Sequence, residues 1–138
     1  MTRRGLLLTG LACALRADDA DQIWEVFTGM AAALSESKPE EFMQAFNSAM
    51  PGYDDLRRNV TALLLAYDAH SSIELVDETG DGAVRTLQLD WFLQLVEKQD
   101  TAARLTRRRE PVRCQLVKNK KWRISSFEPL TLFAPPAP

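Results

Sequence analysis

Histidine occurs once in this chain, as His70, and cysteine twice, as Cys13 and Cys114. So small a set of imidazole and thiolate groups leaves no metal-site spacing, and no metal is expected. The 6 glycines make no phosphate-cradling loop, because Gly80 and Gly82 only frame a turn around Asp81. Neither G-x-S-x-G nor H-E-x-x-H occurs, so no cofactor is expected. Charge of one sign is also lacking: 17 Lys and Arg stand against 19 Asp and Glu, a net of -2. That balance removes the general electrostatic case for nucleic acid. No apolar run reaches the ~20 residues that span a bilayer. What is present is 138 residues at 46% hydrophobic and 26% charged, the composition of one globular domain with one core.

The chain opens on MTRRGLLLTGLACALRA, with Arg3 and Arg4 ahead of an apolar run from Gly5 to Leu15 and small residues after it. This is the layout of a secretory signal peptide, with Leu15-Arg16-Ala17 as an imperfect cleavage site before Asp18. Thr2-Arg3-Arg4-Gly5-Leu6-Leu7 also resembles a twin-arginine export signal. Cys13 follows Gly10-Leu11-Ala12, a poor lipoprotein box because a larger aliphatic belongs where Gly10 stands. The expectation is an exported protein, periplasmic or extracellular, with residues 1–17 removed and no stable membrane span after processing; the alternative is a frayed N-terminal helix in a cytosolic protein. Loss of Arg3, Arg4 and Arg16 takes the net charge from -2 to -5. Cys114 is then the only cysteine, so no intramolecular disulfide is possible and the core must hold the fold.

From Asp18 to Ser35, Ile23, Phe27, Met30 and Leu34 recur at helical spacing, with Trp24 and Val26 beside them. Asp18, Asp19 and Asp21 crowd the expected start, where the helix dipole favours acids. A second helix is expected from Ser37, with Ser37 and Glu40 at capping-box spacing and Pro39 in the first turn. Phe42, Phe46 and Ala49 share its face and Pro51-Gly52 stops it. Leu56, Val60, Leu63 and Tyr67 mark a third helix from Tyr53 to Ala66, with Asp54 and Arg58 as an i, i+4 pair.

After His70 the period becomes two. Ser72 to Val76 alternates, Glu78 to Gly82 turns, and Leu87, Leu89, Trp91, Leu93 and Leu95 line one face of a long strand. In the next strand Leu105 is odd while Val112, Cys114 and Leu116 are even, which predicts a bulge at Glu110-Pro111. In the last strand Trp122 and Ile124 are even and Phe127 odd, which predicts another at Ser125-Ser126. Between these strands lies the turn Asn119-Lys120, with Asn119 expected to take the positive φ. Bulges bend sheets, so the class is α+β: three N-terminal helices on a curved antiparallel sheet of four or more strands. A Pro-rich tail over 131–138 is expected to be disordered.

Three features together resemble the nuclear transport factor 2-like superfamily, which includes ketosteroid isomerases and SnoaL-like proteins. They are the long first helix, the short Pro-started second helix and the third helix ending Ala66-Tyr67-Asp68. A strand meander closing on Lys120-Lys121-Trp122-Arg123-Ile124-Ser125-Ser126-Phe127-Glu128-Pro129 completes the likeness, which covers residues 18–130. It implies a cone whose sheet curls over the helices and leaves a pocket at its open end, which holds a small apolar molecule or stays packed core, and a homodimer through the outer sheet face, as many such proteins form.

Trp24, Trp91 and Trp122 could stack on a flat ligand or fill the core. Asp68 and His70 lie where helix hands over to sheet, and Asp90 lies mid-strand; any of the three could serve as a base. The isomerase relatives imply such an acid, but also donors for an enolate oxygen, and the first helix offers Trp24 and Phe27 but no Tyr. Arg107 and Arg109 share one strand face, and Arg104 and Arg108 the other; one set could meet an anion or an acidic partner, or simply face water. The leading expectation is an exported domain without evident catalytic residues that binds a small apolar ligand or a protein partner. The alternatives are a small isomerase, cyclase or hydratase, and a structural module of an envelope assembly.

Overall fold

A computed structural model describes residues 6–99, 102 and 104–137, with side chains from residue 18 onward. Helix α1 runs Leu6–Ser35, α2 Pro39–Met43 and α3 Tyr53–Ala66; strands β1 Tyr67–Asp81, β2 Val84–Glu97, β3 Leu105–Asn119 and β4 Lys121–Glu128 follow. A 3-10 turn, Leu130–Phe133, begins a C-terminal strap. The strands form one antiparallel sheet in the order β1-β2-β3-β4. The expected α+β class, with helices on a curved sheet, is what the fold is. Among the described residues no helix is long and apolar enough to cross a membrane.

Helix α1 starts earlier than the apolar stripe alone indicates, so Asp18, Asp19 and Asp21 lie inside it rather than at its positive end. Asp19 instead faces the sheet, 3.8 Å from Arg85 and 3.3 Å from Lys118. Residues 1–5 of the expected export signal lie outside the described residues. The stripe itself is core: Ile23, Phe27, Met30 and Leu34 are all buried.

The capping box at Ser37 does not form. Ser37 turns the chain with φ 57° and its hydroxyl accepts a hydrogen bond from Lys98 Nζ at 3.2 Å. The same ammonium donates to Leu64 O at 2.7 Å, which satisfies a carbonyl that the end of α3 leaves open. Helix α2 is one short turn, and Ala49 beyond it is exposed. The segment after α2 instead lies on β4, with Ile124 N donating to Ala45 O and Asn47 N to Ile124 O. That covers part of the free edge of the sheet. Arg58 pairs with Asp55 and not with the expected Asp54. At Gly52, φ is 81°, and a Cβ there would meet Leu130 Cδ1 at 2.7 Å. The positive φ is what calls for glycine at the turn into α3; the Leu130 side-chain end could shift to admit a Cβ.

Strand register decides which side chains enter the core. Pairing of β2 with β3 runs unbroken from Val84↔Val117 to Val96↔Leu105, so no bulge exists at Glu110-Pro111. Leu105 is an outward residue, 43% exposed, and its apolar character is not a core signal. The bulge at Ser125 is present: Gln115 pairs with Ser126 and Leu116 with Ile124, leaving Ser125 extra. Its hydroxyl donates to Gln115 O at 3.2 Å, which fills the gap in the ladder. A second slip, at Val76 in β1, has no counterpart in the alternation of Ser72 to Val76. The β3-β4 turn takes its positive φ at Lys120, 69°, rather than at Asn119.

Candidate functional site

The concave side of the sheet is filled by rings. Trp91, fully buried on β2, meets Phe27 of α1, Phe127 of β4 and Phe133 of the strap at centroid distances of 6.4, 5.9 and 5.3 Å. All three contacts are edge-to-face, the arrangement that aromatic quadrupoles favour. Phe42 and Phe46 extend the cluster, with Phe42 and Phe133 only 4.9 Å apart. The Trp91 Nε1 donates to Ser71 Oγ at 3.1 Å, so its one polar atom is satisfied. Among the described residues Arg85 is the only charged one in the buried class. It is held by Glu78 at 2.5 Å, with Asp19 beyond, as a structural clamp between α1 and the sheet.

Leu132 and Phe133 are buried to 1% and 0% exposure, so the folded unit extends past residue 130 into the stretch expected to be a tail. Arg108 fastens them. Its Nη1 donates to Leu132 O at 2.7 Å and Ala134 O at 2.6 Å, the carbonyls on either side of Phe133. Burial of the Arg108 guanidinium lowers its pKa from the usual arginine value, against the raising influence of Tyr67 and Glu110.

The convex face carries the other candidates. Asp90 and Arg109 are cross-strand diagonal neighbours: Arg109 Nη2 and Nε donate to Asp90 Oδ2 at 2.7 and 3.1 Å. That bidentate contact lowers the Asp90 carboxyl below its ordinary value and raises Arg109. The Arg109 guanidinium also lies 4.8 Å over the ring of Phe92. Asp68, His70, Glu74, Asp77 and Asp81 on β1 are exposed on this side, and so are Arg107, Arg109 and Arg113 on β3. The convex face is therefore divided, acidic along β1 and basic along β3.

The predicted site residues do not converge. Asp68 and His70 are exposed and turned away from the ring-filled interior, because Ala69 between them takes the inward position at 0% exposure. Trp91 is central to the core. Trp24 is 39% exposed on α1, its ring 6.2 Å from Phe27, outside the aromatic centre. Trp122 forms one wall of an open groove of about 360 Å³ whose floor includes Val26, Gly29 and Ala33 of α1, with Ala45 alongside. The Trp122 Nε1 is buried without a hydrogen-bond partner. Arg108, the residue that organises the strap, was missed: taking Leu105 as inward with a bulge at Glu110-Pro111 turns Arg108 outward, whereas the unbroken register pairs it with inward Leu93, and its partners are backbone carbonyls that carry no sequence signature. Among the described residues no group of His, Cys, Asp and Glu could hold a metal ion.

No family model matches this chain, and no curated protein does. Solved structures do. An NTF2-like protein with a cystatin-like fold from Novosphingobium aromaticivorans superposes with a TM-score of 0.66 at 15% identity, covering 88% of this chain and 87% of that one. An NTF2-like superfamily protein from Salmonella enterica gives 0.64 at 14% identity, covering 88% and 94%. A hexachlorocyclohexane dehydrochlorinase gives 0.64 at 10% identity, covering 81% and 84%. At such identities the likeness speaks for architecture: this chain has the nuclear transport factor 2-like fold.

Proposed function

We propose that this protein is an exported, non-catalytic NTF2-like domain that works by protein association, and that its first partner is a second copy of itself. The observation that carries the reading is the divided convex face. A two-fold axis lying over the convex face and running along β2 would lay the β3 strip of Arg107, Arg109 and Arg113 over the partner's β1 strip of Asp68, Glu74, Asp77 and Asp81. Such a contact is self-complementary, as a two-fold interface must be. Phe92 and Leu105, each 43% exposed on the same face, supply apolar area between the strips. The filled interior supports an outward-facing role, since the rings around Trp91 occupy the space that a small apolar ligand would take.

The isomerase, cyclase or hydratase alternative needs an acid or imidazole facing a cavity. Asp68 and His70 are exposed on the convex side, and Asp90 is tied to Arg109.

Native mass spectrometry of protein purified from its host reads both halves. The expected species is a dimer of chains beginning at Asp18. Reversal of Arg107, Arg109 and Arg113 to Glu should give monomers. Mixing that variant with one carrying Lys at Asp68, Glu74 and Asp77 should restore a heterodimer. A monomeric wild type, or reversal variants that still dimerise alone, would sink the association reading; intact Met1-Thr2-Arg3 would sink export.

A further inference from the structure

The strap that closes the cone is tied to the rest of the fold in an unusual way. Its backbone hydrogen bonds are internal, Leu132 N to Pro129 O and Ala134 N to Thr131 O. The hydrogen bonds that reach it from the rest of the described chain come from one side chain, Arg108. Otherwise it is held by burial of Leu132 and Phe133, with Leu130 half-buried against the core. A chain end fastened in this manner can leave without breaking any rung of the sheet.

We infer that the strap is a ligand carried in cis, and that the site beneath it recognises a phenyl ring joined by a short linker to a carboxylate. The ring slot is defined by Phe42, Trp91 and Phe127, whose centroids lie 4.9, 5.3 and 5.6 Å from that of Phe133. The polar requirement is equally specific, because both carbonyls that flank Phe133 converge on one nitrogen of Arg108. With the strap withdrawn, that guanidinium faces the mouth of the slot with two acceptors to replace. A carboxylate supplies both oxygens on one carbon, and a charge-assisted bond is roughly twice as strong as one to a neutral carbonyl. Glu110 acts on the same guanidinium and would compete with the incoming anion. The Cβ, Cα and N of Phe133 separate its ring from the Leu132 carbonyl carbon, which is the spacing of 4-phenylbutyrate. This inference goes beyond the association reading: it concerns the concave side and does not depend on oligomeric state.

The test is calorimetric titration of full-length Phe133→Ala with 4-phenylbutyrate, with 4-phenylbutanol as the neutral analogue and butyrate as the ringless one. The acid should bind about tenfold or more tightly than either control, a preference expected of a charge-assisted contact. The preference should vanish in Phe133→Ala with Arg108→Gln. Equal affinity for acid and alcohol, or a folded Phe133→Ala that binds none of the three, overturns the inference. Wild-type protein provides an independent readout if that variant does not fold. Saturating 4-phenylbutyrate should speed amide exchange at Leu132 and Ala134 while β2 amides keep their rates, and unchanged exchange at the strap also overturns it.

Discussion

Replacing Phe133 with alanine asks whether the last residues of the chain belong to the core. Phe133 is 0% exposed and its ring touches three others at 4.9 to 5.6 Å. Truncation of a buried phenylalanine costs about 3–5 kcal/mol, and aromatic pairs add about 0.5–1.5 kcal/mol beyond area. Those contacts place the variant near the top of the first range, at about 4–5 kcal/mol. Retreat of the strap offers no escape, since it would give up Leu132 as well, at about 1.5–3 kcal/mol for a fully buried side chain. Against a typical total of about 5–15 kcal/mol the loss is a large share. At about 4 °C per kcal/mol, between the values for 100-residue and 150-residue chains, Tm should fall by roughly 16–20 °C. Urea titration followed by tryptophan fluorescence and far-ultraviolet circular dichroism measures it, with a check that both probes coincide. Leu65→Ala is the control: at 77% exposure it should stay within about 0.5 kcal/mol of wild type. A Phe133→Ala loss no larger than that control would refute the packing described, and is what a disordered tail over 131–138 requires.

Further outcomes follow from single polar atoms. Burial pushes the Cys114 thiol up to about 12 from an ordinary 9.0. Because the folded value is the higher one, its contribution to stability is present below about pH 9 and fades as pH rises from there toward 12. Cys114→Ala should therefore flatten the stability profile across that window, and the native thiol should resist a disulfide reagent at pH 8 until the protein unfolds; prompt labelling of folded protein would contradict the burial. Trp122→Phe removes a buried indole N–H that has no partner, whereas Trp91→Phe breaks the bond to Ser71, so denaturation midpoints should rank Trp122→Phe above Trp91→Phe. The reverse order would mean that Trp122 has an acceptor after all. Asp90 is held below its usual value chiefly by its hydrogen bonds to Arg109. In Arg109→Ala its carbon-detected titration midpoint should rise, and the pair's contribution in wild type should persist above the ordinary carboxylate pKa and be lost as pH falls through the lowered one. An unmoved midpoint would show that the pair does not persist in solution.

How much was legible in the sequence varied with the range of the interaction. The stripe Ile23, Phe27, Met30 and Leu34 announced α1's buried face, and Tyr53 to Ala66 announced α3, because helical spacing is local. Leu87 to Leu95 announced the inward face of β2 for the same reason. The phase change between Ile124 and Phe127 located the bulge at Ser125, since both flanking residues are core. The same logic failed at Glu110-Pro111, where Leu105 is apolar but points outward; an apolar side chain marks the inner face only if something covers it. The slip at Val76 was invisible because Leu75 and Val76, at 50% and 63% exposure, give alternation nothing to break.

Composition and periodicity, acting over a few residues at a time, determined the class, the element order and most of the core, and set the charge pattern of each strand. Only tertiary structure decided that β1 and β3 present opposite charges on one convex face, that Trp24 is left outside while Trp91 is central, and that the cone is closed by its own C-terminus. The physical reason is that those outcomes depend on register between strands and on backbone carbonyls meeting Arg108, pairings between residues far apart in the chain that no local pattern encodes.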